Sequence, residues 1–292
     1  MFFFTIILIG CTLAPLSESK APKRVALVIG NQHYMGNGLN NPINDAKGVA
    51  KRLEVIGFDV TMVQDVTLKQ LNQTLKGLKS KIEPNNTIVF IYFAGHGNSL
   101  QKNSSEQFLM MTDTKQPVLI SIFKFYDFLK EVQARHSIIA IDACRDYQQH
   151  YVALSDSANR KALKNFRGNF SLEQFRAGTI RYDDGVKKDV KVLLDKEYDY
   201  RLPSSTLVSY ATERNQRAKD WSIYDSKHSP YSYALIQHLD DEEIPIEELF
   251  RRVRVSILKE TNRQQSNSEE MTLEKNIWLV PKKAQVALAP PI

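Results

Sequence analysis

Cysteine is scarce in this chain, no hydrophobic run is long, and neither basic residues nor glycines form a block. Each shortage excludes something. Among 292 residues only Cys11 and Cys144 carry thiols. If the N-terminus is removed a single thiol remains, so no intramolecular disulfide can staple the fold. The apolar run from Phe2 to Gly10 is too short to cross a bilayer as a helix. The net charge of +6 is spread along the chain without a dense Lys/Arg cluster, which argues against a nucleic-acid partner. Gly30 to Gly38 fits neither dinucleotide nor P-loop spacing, which removes the basis for a nucleotide-binding α/β domain. His33, His136, His150, His228 and His238 lack metal-ligand spacing with any cysteine or carboxylate cluster, so no metal or other cofactor is expected.

What remains is an ordinary globular composition, 42% hydrophobic and 25% charged. The length suits one large domain or two small ones. Residues 2–10 have the length of a signal-peptide apolar region and run into polar Ser17-Glu-Ser-Lys20. Leu8-Ile-Gly-Cys11 resembles the lipobox of bacterial lipoproteins, although no Lys or Arg precedes the apolar run. The expectation is a signal over residues 1–20 and an exported protein, secreted, periplasmic or lipid-anchored at Cys11. A cytoplasmic protein is the alternative.

Two short motifs carry the chemistry: Phe93-Ala-Gly-His-Gly97 and Asp142-Ala-Cys-Arg-Asp146. Each follows a strand-like run, Thr87–Tyr92 and Ser137–Ile141. A histidine and a cysteine in this outline suggest a thiol/imidazole catalytic pair. The charged neighbours Asp142, Arg145 and Asp146 speak against a cysteine that merely packs in an apolar niche.

Apolar periodicity predicts strands over 23–30, 58–63, 87–92, 107–111, 137–141, 205–212 and 276–280, the last closing the sheet. Helices are predicted around Ala46–Leu53, capped by Asn44-Asp45, then over Leu68–Ile82, Ile122–Val132, Tyr231–Leu239 and Ile246–Leu258. The basic stretch 153–203 has little periodicity and reads as a long loop. Alternating strands and helices imply a mainly parallel sheet covered on both faces. Such sheets bind ligands beyond the carboxyl ends of their strands, where His96 and Cys144 both fall.

The ordered set Val25-Ala-Leu-Val-Ile-Gly-Asn31, Asn44-Asp-Ala46, Tyr92-Phe-Ala-Gly-His-Gly97, Asp142-Ala-Cys-Arg145, Ser209-Tyr-Ala-Thr212 and Ser229-Pro-Tyr-Ser-Tyr-Ala-Leu235 resembles the caspase-like cysteine peptidases. Paracaspases and bacterial orthocaspases are the nearest in pattern. The resemblance runs from about Lys23 to Val280, and the spacing of His96 and Cys144 agrees with the roughly 50 residues typical of caspases. It implies a three-layer α/β sandwich with a mostly parallel sheet of about six strands. The peptidase domain would span 23–281, with a p20-like part at 23–152, a linker loop at 153–203 and a p10-like part at 204–281, followed by a flexible tail at 282–292.

The resemblance also implies a Cys144/His96 dyad acting on polypeptides, with the backbone N–H groups of Gly97 and Cys144 as the oxyanion site. Asp142 stands where aspartate-cutting caspases carry Gln, Asp220 where they carry Arg, and Asp45 matches an acidic pocket residue of paracaspases. Together they imply an S1 pocket for arginine, with lysine second. Self-cleavage in the basic 153–203 loop follows as an expectation. Relatives differ in needing calcium or homodimerisation, and no calcium-binding cluster stands out here. A catalytically silent binding module of the same fold is the alternative; the intact His96 and Cys144 speak against it.

Overall fold

The computed structural model describes residues 21–34, 38–99, 106–113, 118–145, 180–181, 187–188, 191–193 and 201–280. The predicted signal with Cys11, the tail and most of 153–203 lie outside them.

Chain order alternates strand and helix from the start. β1 (Lys23–Gly30), α1 (Pro42–Val55), β2 (Asp59–Gln64), α2 (Leu68–Lys79) and β3 (Thr87–Ala94) come first. A small antiparallel excursion follows, with β4 (Gly97–Asn98), β5 (Phe108–Met111) and β6 (Val118–Ser121). Then come α3 (Phe123–Glu131), β7 (His136–Asp142), the short β8 (Ile180–Arg181), β9 (Lys187–Lys188) and β10 (Lys191–Leu193), and β11 (Thr206–Tyr210). Two helices, α4 (Pro230–His238) and α5 (Ile246–Glu260), and β12 (Ser268–Met271) complete the order.

The main sheet has six strands in the order β12-β11-β7-β3-β1-β2. All neighbours are parallel except β12, which runs antiparallel to β11. Every residue of β3 is buried, as expected of a strand covered on both faces. Side chains alternate between the faces. Val25, Leu27, Ile29, Val89, Ile91 and Phe93 pack with Leu71, Leu75 and Leu78 of α2 and with Phe125 and Leu129 of α3. Ala26, Val28, Phe90 and Tyr92 pack instead with Leu53 of α1, Leu235 of α4 and Phe250 and Ile257 of α5. The result is the three-layer sandwich expected from the sequence.

Four sequence expectations are corrected. Asn276–Val280 is not a strand. Its buried Ile277 and Leu279 alternate with half-exposed Trp278 as a strand would, but they pack on the α1/α4/α5 side, with Ile246 N–H donating to Ile277 O at 2.7 Å. The sixth strand is β12, whose Ser-Glu-Glu-Met sequence has no apolar pattern to announce it. Helix α1 starts at Pro42, whose fixed φ suits a first turn, so Asn44 and Asp45 lie inside the helix. Helix α2 stops at Lys79, leaving Ile82 buried beyond its end. Finally, the 153–203 stretch is not wholly loop, because β8, β9 and β10 fall within it and β10 pairs with β6.

Candidate active site

Strands β3 and β7 are neighbours, and their register sets Ala94 opposite Asp142. Gly95 N–H then donates to Asp142 O at 3.1 Å. His96 and Cys144, each two residues further on, therefore leave the sheet side by side. Tyr34 packs against the imidazole of His96, ring centroids 4.6 Å apart and planes tilted by 50°. Its hydroxyl accepts from His96 N–H at 3.0 Å and donates to Met110 O at 3.3 Å. Only glycine fits at position 95, since a Cβ there would lie 2.4 Å from that hydroxyl.

Among the described residues Cys144 is in no disulfide; it is half-buried, with Sγ 3.7 Å from Ala218 O. A Cβ on Gly97 would approach Ala143 Cβ and Gln107 Nε2 to 2.7 Å each and Cys144 O to 3.1 Å. Glycine is thus required where the two motifs touch. Arg145 exchanges main-chain hydrogen bonds with Asn215 and Gln216. Its guanidinium is buried, stacked 3.6 Å over Tyr210 and bonded to Ser268 of β12. The basic residue after the cysteine is therefore an anchor, not a solvent-facing charge.

A cleft of about 340 Å³, open to solvent, is lined by His96, Cys144, Asp45, Asp142 and Asp220. The three acids reach it from three elements: α1, the end of β7 and the 211–229 connection. Asp142 Oδ2 accepts from Ser229 Oγ and Ser232 Oγ, both at 2.5 Å. Asp45 Oδ1 accepts from Ser229 N–H and pairs with His228 Nδ1, both at 3.0 Å. Two carboxylates thus meet the N-terminus of α4, where Ser229 caps by accepting from Ser232 N–H. Asp220 Oδ2 accepts from Asn40 N–H at 2.8 Å, and Asn41 Nδ2 donates to Asp220 O.

Burial, followed by the neighbouring Asp45, pushes Asp142 up to about 8 against the pull of the two serine hydroxyls. Asp45 is raised well above the carboxylate range, chiefly by burial, with Asp220 and Asp225 adding to the rise. Burial raises Asp220 too. Lys219 also borders the cleft, but its ammonium bonds Gln264 Oε1 at 3.2 Å. Among the described residues none of the three acids is ion-paired with a Lys or Arg, and burial favours their protonated forms. Among the described residues no group of three His, Cys, Asp or Glu side chains is placed to hold a metal, and no helix is long and apolar enough to cross a membrane.

All the residues singled out in the sequence, His96, Gly97, Cys144, Asp45, Asp142 and Asp220, gather at this one rim. Tyr34, Gln107, His228, Ser229 and Ser232 were not singled out for roles. Only Ser229, before Pro230, carried a readable signal, a helix-start signature.

A covered parallel sheet with an imidazole and a thiol at the carboxyl ends of adjacent strands defines a caspase-like α/β domain. The chain belongs to the caspase domain family, the C14 peptidases, whose profile matches residues 23–277. That family consists of cysteine endopeptidases, which act on polypeptides. The fold is also similar to caspase-1 from Spodoptera frugiperda, with a TM-score of 0.58 over 92% of this chain and 94% of that one. At 14% identity this likeness concerns the fold alone. No curated protein matches the chain.

Proposed function

We propose that this protein is a cysteine endopeptidase that cleaves after arginine, and less readily after lysine, with Cys144 as nucleophile and His96 as its acid/base partner. The observation that carries the reading is the cluster of Asp45, Asp142 and Asp220 around the cleft that also holds His96 and Cys144. Burying carboxylates without a cation is unfavourable, as their raised pKa values express. A substrate guanidinium relieves that cost and accepts bidentate pairing, which an ammonium cannot match. An aspartate side chain brings no cation to these acids and would bury a further unpaired charge beside them, so it is rejected.

In the proposed reaction the Cys144 thiol gives its proton to His96, and the thiolate attacks the carbonyl carbon of the arginine itself. The C–S bond forms while the carbonyl π pair moves onto oxygen, held by the N–H groups of Gly97 and Cys144. Collapse breaks the C–N bond, and His96 protonates the leaving amine. Water then attacks the thioester, giving a proton to His96, and the Cys144 thiolate departs. The basic 153–203 stretch, with Arg160, Lys161, Arg167, Arg176, Lys187 and Lys188, offers side chains that this pocket would accept from the enzyme itself. Export and pairing of two copies complete the proposal.

The test is turnover of fluorogenic peptides ending in Arg, Lys or Asp, beside a Cys144→Ala control and with calcium present and absent. Cys144-dependent cleavage ranked Arg above Lys above Asp is expected. Cleavage after Asp would overturn the pocket assignment. No Cys144-dependent turnover of any peptide would favour a silent binding module.

A further inference from the structure

We propose that Gln107 is a positioning residue for acyl transfer: its side-chain amide clamps the Cys144 carbonyl and fixes the Gly97 and Cys144 amides relative to one another. The inference rests on the oxyanion role proposed for those two amides. They come from separate parts of the fold. Gly97 opens β4, a two-residue strand of the small sheet, whereas Cys144 follows β7 in the main sheet. β4 and β7 belong to different sheets, and the β3–β7 ladder ends at Ala94 and Asp142, short of both amides, so their final spacing is set beyond it.

Gln107 bridges the gap. It immediately precedes β5, the strand that pairs Phe108 with Asn98 and Leu109 with Gly97. Its own carbonyl accepts from Ile122 N–H at 2.9 Å, which pins its main chain. The residue is 1% exposed. Its Nε2 lies 2.6 Å from Cys144 O and 2.7 Å from where a Gly97 Cβ would stand. Since a carbonyl oxygen only accepts, the atom facing it is the amide nitrogen. The peptide after Cys144 is then held at both ends, its carbonyl by Gln107 and its N–H by Gln216 O at 3.0 Å. With that plane fixed, Cys144 cannot turn about ψ, and its own N–H keeps its aim.

The other end of the same side chain shows what is given up. Gln107 Oε1 is buried and makes no hydrogen bond among the described residues. A hydrophobic side chain would avoid that loss only by giving up the hydrogen bond to Cys144 O, the contact on which the role rests.

The role has a chemical signature. Peptide cleavage places negative charge on a carbonyl oxygen, and a peptide aldehyde does the same when the thiolate adds to give a hemithioacetal. Iodoacetamide forms the C–S bond by expelling iodide, and no carbonyl oxygen gains charge. A residue that aims the oxyanion donors therefore matters to the first two reactions and not to the third.

Gln107→Met keeps the length and removes the donor. It is expected to lower kcat on an Arg peptide roughly ten- to a hundred-fold while leaving KM within about two-fold. Binding of the matching Arg aldehyde should weaken by the same factor, with the Cys144 alkylation rate by iodoacetamide unchanged. Gln107→Glu is the second variant, since a carboxylate cannot donate to the carbonyl whereas a carboxylic acid can. Its activity relative to wild type at the same pH should climb as pH falls from 8 to 6. Wild-type kcat in Gln107→Met, alkylation slowed as much as cleavage, or a flat Gln107→Glu ratio would each overturn the role. A wild-type enzyme without Cys144-dependent turnover would overturn the underlying reading as well. Active wild type with unaffected variants would overturn Gln107 alone.

Discussion

Replacing Asp142 by asparagine takes one charge out of the cleft and leaves its hydrogen bonds standing. Ser229 and Ser232 both donate to Oδ2, and an amide oxygen in that position accepts the same two hydroxyls. What is lost is the ionisable group, the other oxygen giving way to an amide nitrogen. A folded-state pKa of about 8 stands roughly four units above the ordinary aspartate value, at about 1.4 kcal/mol per unit. Because the folded value is the higher one, the stability linked to this group is fully present below pH ~4 and is lost as pH rises through 8. The wild type should lose up to about 5 kcal/mol across that window from Asp142, and the asparagine variant should not. About 4 kcal/mol of that falls between pH 5 and pH 8.5, so at roughly 2–4 °C per kcal/mol the variant's Tm advantage should grow by about 8–16 °C over that range.

Activity should move the other way. Asp142 would meet the guanidinium with a charge-assisted bond worth about 1.5–3 kcal/mol, so kcat/KM for an Arg peptide should fall roughly 10- to 150-fold. The matching citrulline peptide, which has the shape without the charge, should be cleaved at an almost unchanged rate. Thermal scans across pH, paired with the two peptides, measure both halves. A Tm difference that stays flat with pH, or equal losses on arginine and citrulline, would refute the reasoning.

In the wild type, the ratio of kcat/KM for arginine over citrulline should rise as pH goes from 6 to 8, because Asp142 must ionise to hold the cation. The dyad's own titration acts on both peptides and cancels in the ratio. Ser229→Ala removes the α4 cap and one hydroxyl from Asp142, so Tm should drop by an amount equivalent to about 1–2 kcal/mol. Its arginine/citrulline ratio should also reach its plateau at higher pH, since that hydroxyl holds the Asp142 pKa down. Intact-mass analysis of wild type against Cys144→Ala should show fragments from the 153–203 stretch in the wild type alone. Identical fragments in both would exclude self-processing.

The layered fold was legible because its signals are local. Buried parallel strands such as β3 are continuous apolar runs, and α2 carries leucines at helical spacing. The two motifs were readable because each directly follows its strand. What stayed hidden depends on tertiary partners. β12 has the composition of a surface turn and becomes a strand only by pairing with β11. Asn276–Val280 has the reverse problem, a strand's alternation spent on packing against helices. Asp45 is readable both as a cap and as a pocket acid, but its partners Ser229 and His228, more than 180 positions away, are not. Gln107 gave no signal, since its meaning is its distance from Cys144.

The most direct test is covalent labelling with a pair of peptide chloromethyl ketones that differ only in ending with arginine or aspartate, mapped by peptide mass spectrometry. The arginine reagent should alkylate Cys144 alone and rapidly, and benzamidine should protect by filling the acidic cleft. Faster labelling by the aspartate reagent, or modification elsewhere than Cys144, would contradict a thiol nucleophile beside a pocket for arginine.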